Sequence, residues 1–133
     1  MDGLNFTEQP RILVVDDTPD NLALMSSLLR DKYRVTIANN GVKALQIAAS
    51  SSPPDLILLD IMMPGMDGYE VCEQLKHDPK TANIPVIFLT GTGDEAAIEK
   101  GLDLGGEAYV VKPFHAITLV AQVKEILSRA AKN

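Results

Sequence analysis

With 133 residues, of which 46% are apolar and 23% charged, the chain is long enough to form one domain with a full hydrophobic core. Its formal net charge of −6 disfavours binding to nucleic acid or to an anionic membrane, because both of those partners are negatively charged. A single cysteine, Cys72, excludes an internal disulfide and is expected to be a buried apolar residue of a helix.

The first nine residues are polar and aperiodic, which predicts a flexible arm before one domain at residues 10–131. The arm has neither the basic segment nor the apolar segment of a secretion signal. No apolar run approaches the length of a membrane-spanning helix. We therefore expect a cytoplasmic protein.

A first strand is predicted at Arg11–Val15, where consecutive apolar residues indicate burial on both faces. The strand runs directly into Asp16 and Asp17. Thr18 and Pro19 then mark the start of a helix, with the hydroxyl residue at the cap and proline in the first turn. The structural alternative for the two acids is that they only cap this helix.

The strand predicted at residues 33–38 alternates between apolar and polar residues more than the first strand does. Such alternation suits a strand at the edge of a sheet. A turn at residues 39–41 leads into a short alanine-rich helix, whose inner face is expected to contain Leu45, Ala48 and Ala49.

The strand at residues 55–60 is the feature around which the chain is organised. Its four consecutive large apolar residues lie between two prolines and a loop rich in proline and glycine, and the strand ends in Asp60. An acid at this end of a buried strand lies at the mouth of the ligand crevice of an open α/β fold. Asp60 is therefore either a helix cap or a reactive group.

The second half of the chain continues the alternation of helix and strand. Helices are predicted at residues 69–77 and 94–104 and around 117–127, with strands at 84–90 and 108–112. The two strands end in Thr90 and Lys112. The residues expected to face the core from the last two helices are Ile98 and Leu102, then Ile117, Val120, Val123, Ile126 and Leu127.

Five strands that alternate with five helices predict an α/β fold with a doubly wound parallel sheet, covered by helices on both faces. The carboxyl ends of parallel strands meet at one edge of the sheet. The residues expected to converge there are Asp16, Asp17, Asp60, Thr90 and Lys112.

Three clustered acids need a counter-charge, because two unit charges about 5 Å apart repel by roughly 3 kcal/mol at an effective dielectric near 20. Mg²⁺ fits such a cluster, since it typically binds one or two carboxylates and leaves positions for phosphate oxygens. The ammonium of Lys112 would supply a second positive charge. With this lysine at the same edge, helix capping becomes the minor interpretation of Asp16 and Asp17.

Four segments occur in the order typical of one family: LVVDD at residues 13–17, LLDIMMPGMDG at 58–68, LT at 89–90 and YVVKPF at 109–114. Through them, residues 10–130 resemble the receiver domain of bacterial response regulators, the phosphoacceptor part of two-component signalling. The resemblance implies a flavodoxin-like, three-layer α/β/α fold with strand order 2-1-3-4-5.

The resemblance also implies that Asp60 accepts a phosphoryl group from a sensor histidine kinase or a phosphotransfer protein. Mg²⁺ would bind directly to Asp17, Asp60 and the main-chain carbonyl of Met62. Asp16 would act mostly through metal-bound water. The chain would not be an enzyme beyond accepting this phosphoryl group and hydrolysing it.

Thr90 and Lys112 would contact the phosphoryl oxygens. Phosphorylation would draw the Thr90 hydroxyl inward and let Tyr109 turn from the outside to the inside. That switch would change the surface formed by the fourth helix, the fifth strand and the fifth helix. Through this surface the chain would bind an output protein or a linked output domain absent from this chain, or form a homodimer.

Three other classes of protein are alternatives to this one. A flavodoxin-like flavin carrier needs a phosphate-binding loop after the first strand, where Asp16 and Asp17 would repel phosphate. A haloacid-dehalogenase-like phosphatase needs a second acid two residues after its nucleophile, where this chain has Met62. A phosphorylation-independent interaction domain of the same fold is disfavoured because the acid, hydroxyl and ammonium groups are all present.

Overall fold

A computed structural model describes residues 9–91, 95–112 and 115–131, so nearly all of the predicted N-terminal arm lies outside the described residues. Strands and helices alternate as predicted. The strands are β1 (Arg11–Val15), β2 (Arg34–Ala38), β3 (Leu56–Asp60), β4 (Val86–Thr90) and β5 (Ala108–Val111). The helices are α1 (Pro19–Leu29), α2 (Gly41–Ala48), α3 (Gly68–His77), α4 (Glu95–Asp103) and α5 (Ala116–Ala131).

The five strands form one parallel sheet in the order β2-β1-β3-β4-β5, which confirms the predicted fold and the edge position of β2. The register aligns Val15 with Leu59, and Thr90 with Val111. The residues that follow β1, β3, β4 and β5 therefore emerge at the same edge. This edge carries the candidate site.

Alternate residues of the central strands face opposite sides of the sheet and form two separate cores. Leu13 and Leu59 pack with residues of α2 and α3 on one side. Ile12 and Leu58 pack with residues of α1 and α5 on the other. Because β3 and β4 are buried along their whole length, the strands that end in Asp60 and Thr90 are rigid supports.

The predicted inner face of α4 is wrong at Leu102, which is 42% exposed. The buried residue of α4 is its neighbour Gly101. A Cβ at Gly101 would lie 2.8 Å from the ring of Phe88, so the helix backbone itself packs on this strand residue. A pattern of large apolar residues could not indicate a helix that packs through glycine.

Two other inner-face predictions are wrong. Ile117 is 85% exposed, whereas Leu119, Val123 and Ile126 form the buried face of α5. The other four predicted residues of α5 are confirmed, since Val123 and Ile126 are buried and Val120 and Leu127 pack against the same core. Ala49 is exposed because α2 ends at Ala48, one residue before it.

Gly106 provides a stability test of the packing around Phe88. Its added Cβ would lie 2.4 Å from the Phe88 ring and 3.1 Å from the carbonyl oxygen of Gly101. We expect Gly106→Ala to lower the free energy of unfolding by about 1–3 kcal/mol, because either the ring or the backbone must shift. Urea denaturation measures this difference, with Gly91→Ala as the matched control, since no atom lies within 4 Å of a Cβ there. Equal stability of both variants would contradict the prediction.

None of the helices in the described ranges combines the length and apolar character needed to cross a bilayer.

Candidate functional site

Polar side chains are buried at the carboxyl edge of the sheet, where β1, β3 and β4 end. Asp16 is 0% exposed, and Asp60 and Thr90 are each 2% exposed. Burying carboxylates is costly unless a counter-charge or hydrogen bonds accompany them. Of the polar residues that are buried in the described part of the chain, only Thr81 lies elsewhere.

Lys112 supplies the positive charge at this edge. Its Nζ lies 3.0 Å from Oδ1 of Asp60 and 3.2 Å from Oδ2 of Asp16. The main-chain N–H of Lys112 donates to the carbonyl of Thr90 at 2.7 Å, which holds the residue after β5 against the end of β4. One ammonium therefore bridges two of the three acids.

Asp16 is held by the start of α1 as well as by Lys112. Its Oδ1 accepts a hydrogen bond from the main-chain N–H of Thr18 at 2.9 Å, and its Oδ2 accepts one from the Asn21 side chain at 3.3 Å. Thr18 lies at the N-cap position as predicted, but its hydroxyl forms no cap hydrogen bond, and Asp16 holds the main-chain N–H of this cap residue. Both oxygens of Asp16 are therefore engaged by the protein.

Asp17 differs from its neighbour because it is exposed. Among the described residues, its carboxylate takes part in no hydrogen bond or ion pair. One oxygen from each of Asp16, Asp17 and Asp60 lies within 4.8 Å of the others. Oxygen donors are the ligands that Mg²⁺ prefers, and the one ammonium does not balance three carboxylates. The residues present therefore fit a divalent cation.

Burial raises the pKa of Asp60 to about 6. The negative charge of Asp16 contributes to this rise in pKa, whereas hydrogen bonds from Lys112 and from the main-chain N–H of Met62 oppose it. Burial alone would lower the pKa of Lys112, but its contacts with Asp60 and Asp16 outweigh burial and raise it. The ammonium is therefore charged at neutral pH, and the carboxyl of Asp60 takes up a proton more readily than an exposed aspartate does.

The remaining predicted site residues are Met62, Thr90 and Tyr109. The Met62 side chain is 75% exposed, while its main-chain N–H donates to Oδ1 of Asp60 at 3.3 Å. Thr90 ends β4, the strand beside β3. Tyr109 lies in β5 and is 41% exposed, so it does not join the acidic cluster.

Two residues that support the site were missed in the sequence. Asn21 reaches Asp16 from the first turns of α1, and its position five residues after this acid was the available signal. At Gly68, a Cβ would lie 2.4 Å from the main-chain oxygen of Asp60, so only glycine lets α3 start directly against β3. The MDG segment contained this residue, but its close approach to Asp60 depends on tertiary packing.

Comparison with known proteins gives a consistent result. The response regulator receiver domain family matches residues 12–124. A Vibrio cholerae protein named Probable cyclic di-GMP phosphodiesterase is 50% identical over 115 residues, which are 86% of this chain and 26% of that protein. Response regulator PleD of Caulobacter vibrioides is 43% identical over 117 residues, which are 87% of this chain and 26% of PleD. The chain thus spans about a quarter of the length of these two relatives.

Solved structures agree. The signal receiver domain of a signal transduction histidine kinase from Syntrophus aciditrophicus matches with a TM-score of 0.81 and 35% identity, covering 90% of both chains. The Vibrio cholerae chemotaxis protein CheY4 matches with a TM-score of 0.83 and 28% identity, covering 88% of this chain and 98% of that one. These similarities remove the flavin-carrier and phosphatase alternatives. By sequence, fold and the arrangement of its acidic edge, the chain belongs to the response regulator receiver domain family.

Proposed function

We propose that Asp60 is the phosphoacceptor of this receiver domain and takes its phosphoryl group from the phosphohistidine of a sensor histidine kinase or phosphotransfer protein. The observation that carries the proposal is the environment of Asp60. It is a buried carboxylate at the end of β3, with one oxygen against Lys112 and two further acids beside it. A buried carboxylate with a perturbed pKa, an ammonium and further acids beside it is typical of a functional site, and phosphoryl acceptance uses all of these groups.

In the transfer, an oxygen of Asp60 attacks phosphorus, the phosphorus–nitrogen bond of the donor breaks, and an acyl phosphate forms. Histidine is the leaving group and takes a proton. The attacking carboxyl must be ionised, and a pKa of about 6 leaves it mostly so at neutral pH. Lys112 and the Thr90 hydroxyl would contact phosphoryl oxygens, and the ammonium would offset the charge that they carry.

Asp17 and Asp60 would hold Mg²⁺ directly with the carbonyl of Met62. Asp16, whose oxygens already accept hydrogen bonds from Thr18 and Asn21, would act through water. When bound, Mg²⁺ supplies positive charge to the phosphoryl oxygens. The exposed position of Asp17 supports its assignment as the acid most accessible to the cation.

Intact-mass spectrometry after incubation with acetyl phosphate tests the proposed function. With Mg²⁺ present, we expect the mass of one phosphoryl group to be added, and with excess EDTA we expect none. A protein that gains no mass under either condition would instead be a phosphorylation-independent interaction domain of the same fold. Equal mass gain with and without the metal would contradict the role of the acidic cluster.

Asp17→Asn should weaken Mg²⁺ binding by at least about tenfold, because it removes one of the negative oxygen ligands. Isothermal titration calorimetry measures the affinity. Asp20→Asn is the matched control, since Asp20 is also exposed but lies in the first turn of α1. If both variants bind Mg²⁺ as the parent does, Asp17 is not a ligand.

Met62 should set the lifetime of the acyl phosphate. Its thioether is exposed two residues after Asp60 and cannot orient an attacking water by charge or by an amide. We therefore expect slow to moderate self-dephosphorylation, which Met62→Asn should accelerate by about threefold to tenfold. Decay of the phosphorylated mass measures the rate, with exposed Val42→Asn as control. Unchanged or slower decay in Met62→Asn would contradict this role.

The output surface would be formed by α4, β5 and α5. Four large apolar residues are exposed on the described parts of these elements: Leu102, Tyr109, Val111 and Ile117. Phosphorylation would shift Thr90 and Tyr109 to a second state and so alter this surface for an output protein, a linked output domain or a second copy of the chain. The setting would be the cytoplasm, where histidine kinases present their phosphohistidine.

A further inference from the structure

Tyr69 lies in the first turn of α3 and contacts the first turns of α4. It follows Gly68, the residue at which α3 begins directly against the main chain of Asp60. From there its hydroxyl donates a hydrogen bond to the carbonyl of Ala97 at 3.0 Å. The ammonium of Lys100 lies over its ring, 4.5 Å from the centroid. One side chain of α3 thus makes two different contacts with α4.

The same ring also contacts the strand that ends in Thr90. The centroids of Tyr69 and Phe88 are 5.8 Å apart, and the rings are tilted by 52°. Phe88 belongs to β4 and lies two residues before Thr90. Tyr69 is therefore packed between β4, which ends in Thr90, and α4, which forms part of the proposed output surface.

The two ends of α4 are held differently. At its C-terminal end, the carbonyl of Leu104 accepts a hydrogen bond from the Cys72 thiol at 3.6 Å, and the next residue, Gly105, packs against the alkyl chain of Lys76. The only buried residue of the helix is Gly101. Earlier in the helix, Tyr69 provides the hydrogen bond to Ala97. Tyr69 thus gives the first turns of α4 a directional contact with α3.

We propose that Tyr69 is a positioning residue that holds the first turns of α4 in the unphosphorylated position and so opposes the switch. The coupling of Tyr69 to phosphorylation rests on the proposed function of Asp60. The contact between Tyr69 and α4 does not. The contact belongs to a state in which Lys112 lies against Asp60 and Tyr109 is exposed. If phosphorylation moves α4, the Tyr69–Ala97 hydrogen bond must lengthen or break.

Coupling between two sites is reciprocal, so weakening the contact must favour whatever binds the switched state. Tyr69→Phe removes the hydroxyl and keeps the ring under Lys100. The loss of one hydrogen bond to a carbonyl predicts roughly a twofold to tenfold increase in the affinity for beryllofluoride, the phosphoryl analogue, in the presence of Mg²⁺. The affinity for Mg²⁺ alone should not change, because the contacts of Tyr69 described above are with α4 and β4.

The test compares Tyr69→Phe with the parent and with Tyr33→Phe, which removes a hydroxyl from a tyrosine packed on the opposite side of the sheet. Hydrogen exchange of metal-free protein should be faster in the α4 amides of Tyr69→Phe alone. Titration with beryllofluoride should then show the higher affinity in the same variant.

Unchanged exchange in α4 would overturn the proposed restraint. Faster exchange with unchanged or lower beryllofluoride affinity would overturn its coupling to the switch. If the parent itself binds no beryllofluoride, the proposed function of Asp60 fails and the coupling fails with it. The exchange comparison still decides whether Tyr69 restrains α4.

Discussion

Asp60→Asn should abolish the Mg²⁺-dependent addition of a phosphoryl group. Asparagine has nearly the shape of aspartate and can still accept a hydrogen bond from Lys112, but its amide is not a nucleophile for phosphorus. The expected result is a complete loss of the added mass with acetyl phosphate, whereas the parent gains one phosphoryl group. Intact-mass spectrometry followed by mapping of the modified peptide measures both the amount and the position.

The control for this loss is Asp31→Asn, which changes an exposed acid beyond the end of α1 and should leave the mass gain intact. Circular dichroism of both variants checks that they are folded. A phosphoryl group found at full yield on Asp60→Asn would show that another residue is the acceptor. The whole assignment of the site would then be wrong.

The same substitution should stabilise the metal-free protein, and the gain should depend on pH. Burial raises the pKa of Asp60 from 3.8 to about 6 in the folded state. Between those values the folded protein holds a proton that the unfolded chain has released, so folding is favoured most below about pH 4 and this contribution is lost as the pH rises through 6. One pKa unit corresponds to about 1.4 kcal/mol, so the loss amounts to about 3 kcal/mol.

Asparagine does not titrate, so the stability of Asp60→Asn relative to the parent should increase by up to about 3 kcal/mol between pH 4 and pH 7. Urea denaturation in EDTA at several pH values measures this difference. Adding Mg²⁺ should reduce it, because the cation stabilises the parent through its acids. A difference in stability that stays constant across this pH range would show that the pKa of the Asp60 carboxyl is not raised in the folded state.

The fold was predictable because consecutive apolar residues in a strand indicate that both of its faces are buried. The apolar runs before Asp16 and Asp60 remove their side chains from water only in a sheet that is covered on both faces. The structure buries those strands between two layers of helices. Helix faces were less predictable. Ile117 extends the apolar stripe of α5 but is exposed, and α4 packs on Phe88 through Gly101, which contributes no side chain to any pattern.

The convergence of Asp16, Asp17, Asp60 and Lys112 at one edge follows from chain order, since parallel strands present their carboxyl ends together. The electrostatic partners within that edge do not follow from chain order. In the folded chain, Lys112 bridges Asp60 and Asp16 while Asp17 remains exposed. These differences depend on side-chain directions and on burial, which arise only when all the strands are assembled.

Residue types and their order along the chain were thus enough to specify the parallel sheet, the edge that carries the chemistry and the acid at its centre. The periodicity of apolar residues is a local signal, and all parallel sheets present the carboxyl ends of their strands at one edge. Both rules can therefore be applied to a single sequence. Tertiary packing alone created the raised pKa of Asp60 and the reach of Tyr69 to Ala97. Each of these depends on distances of a few ångströms between elements, and no pattern along the chain encodes such distances.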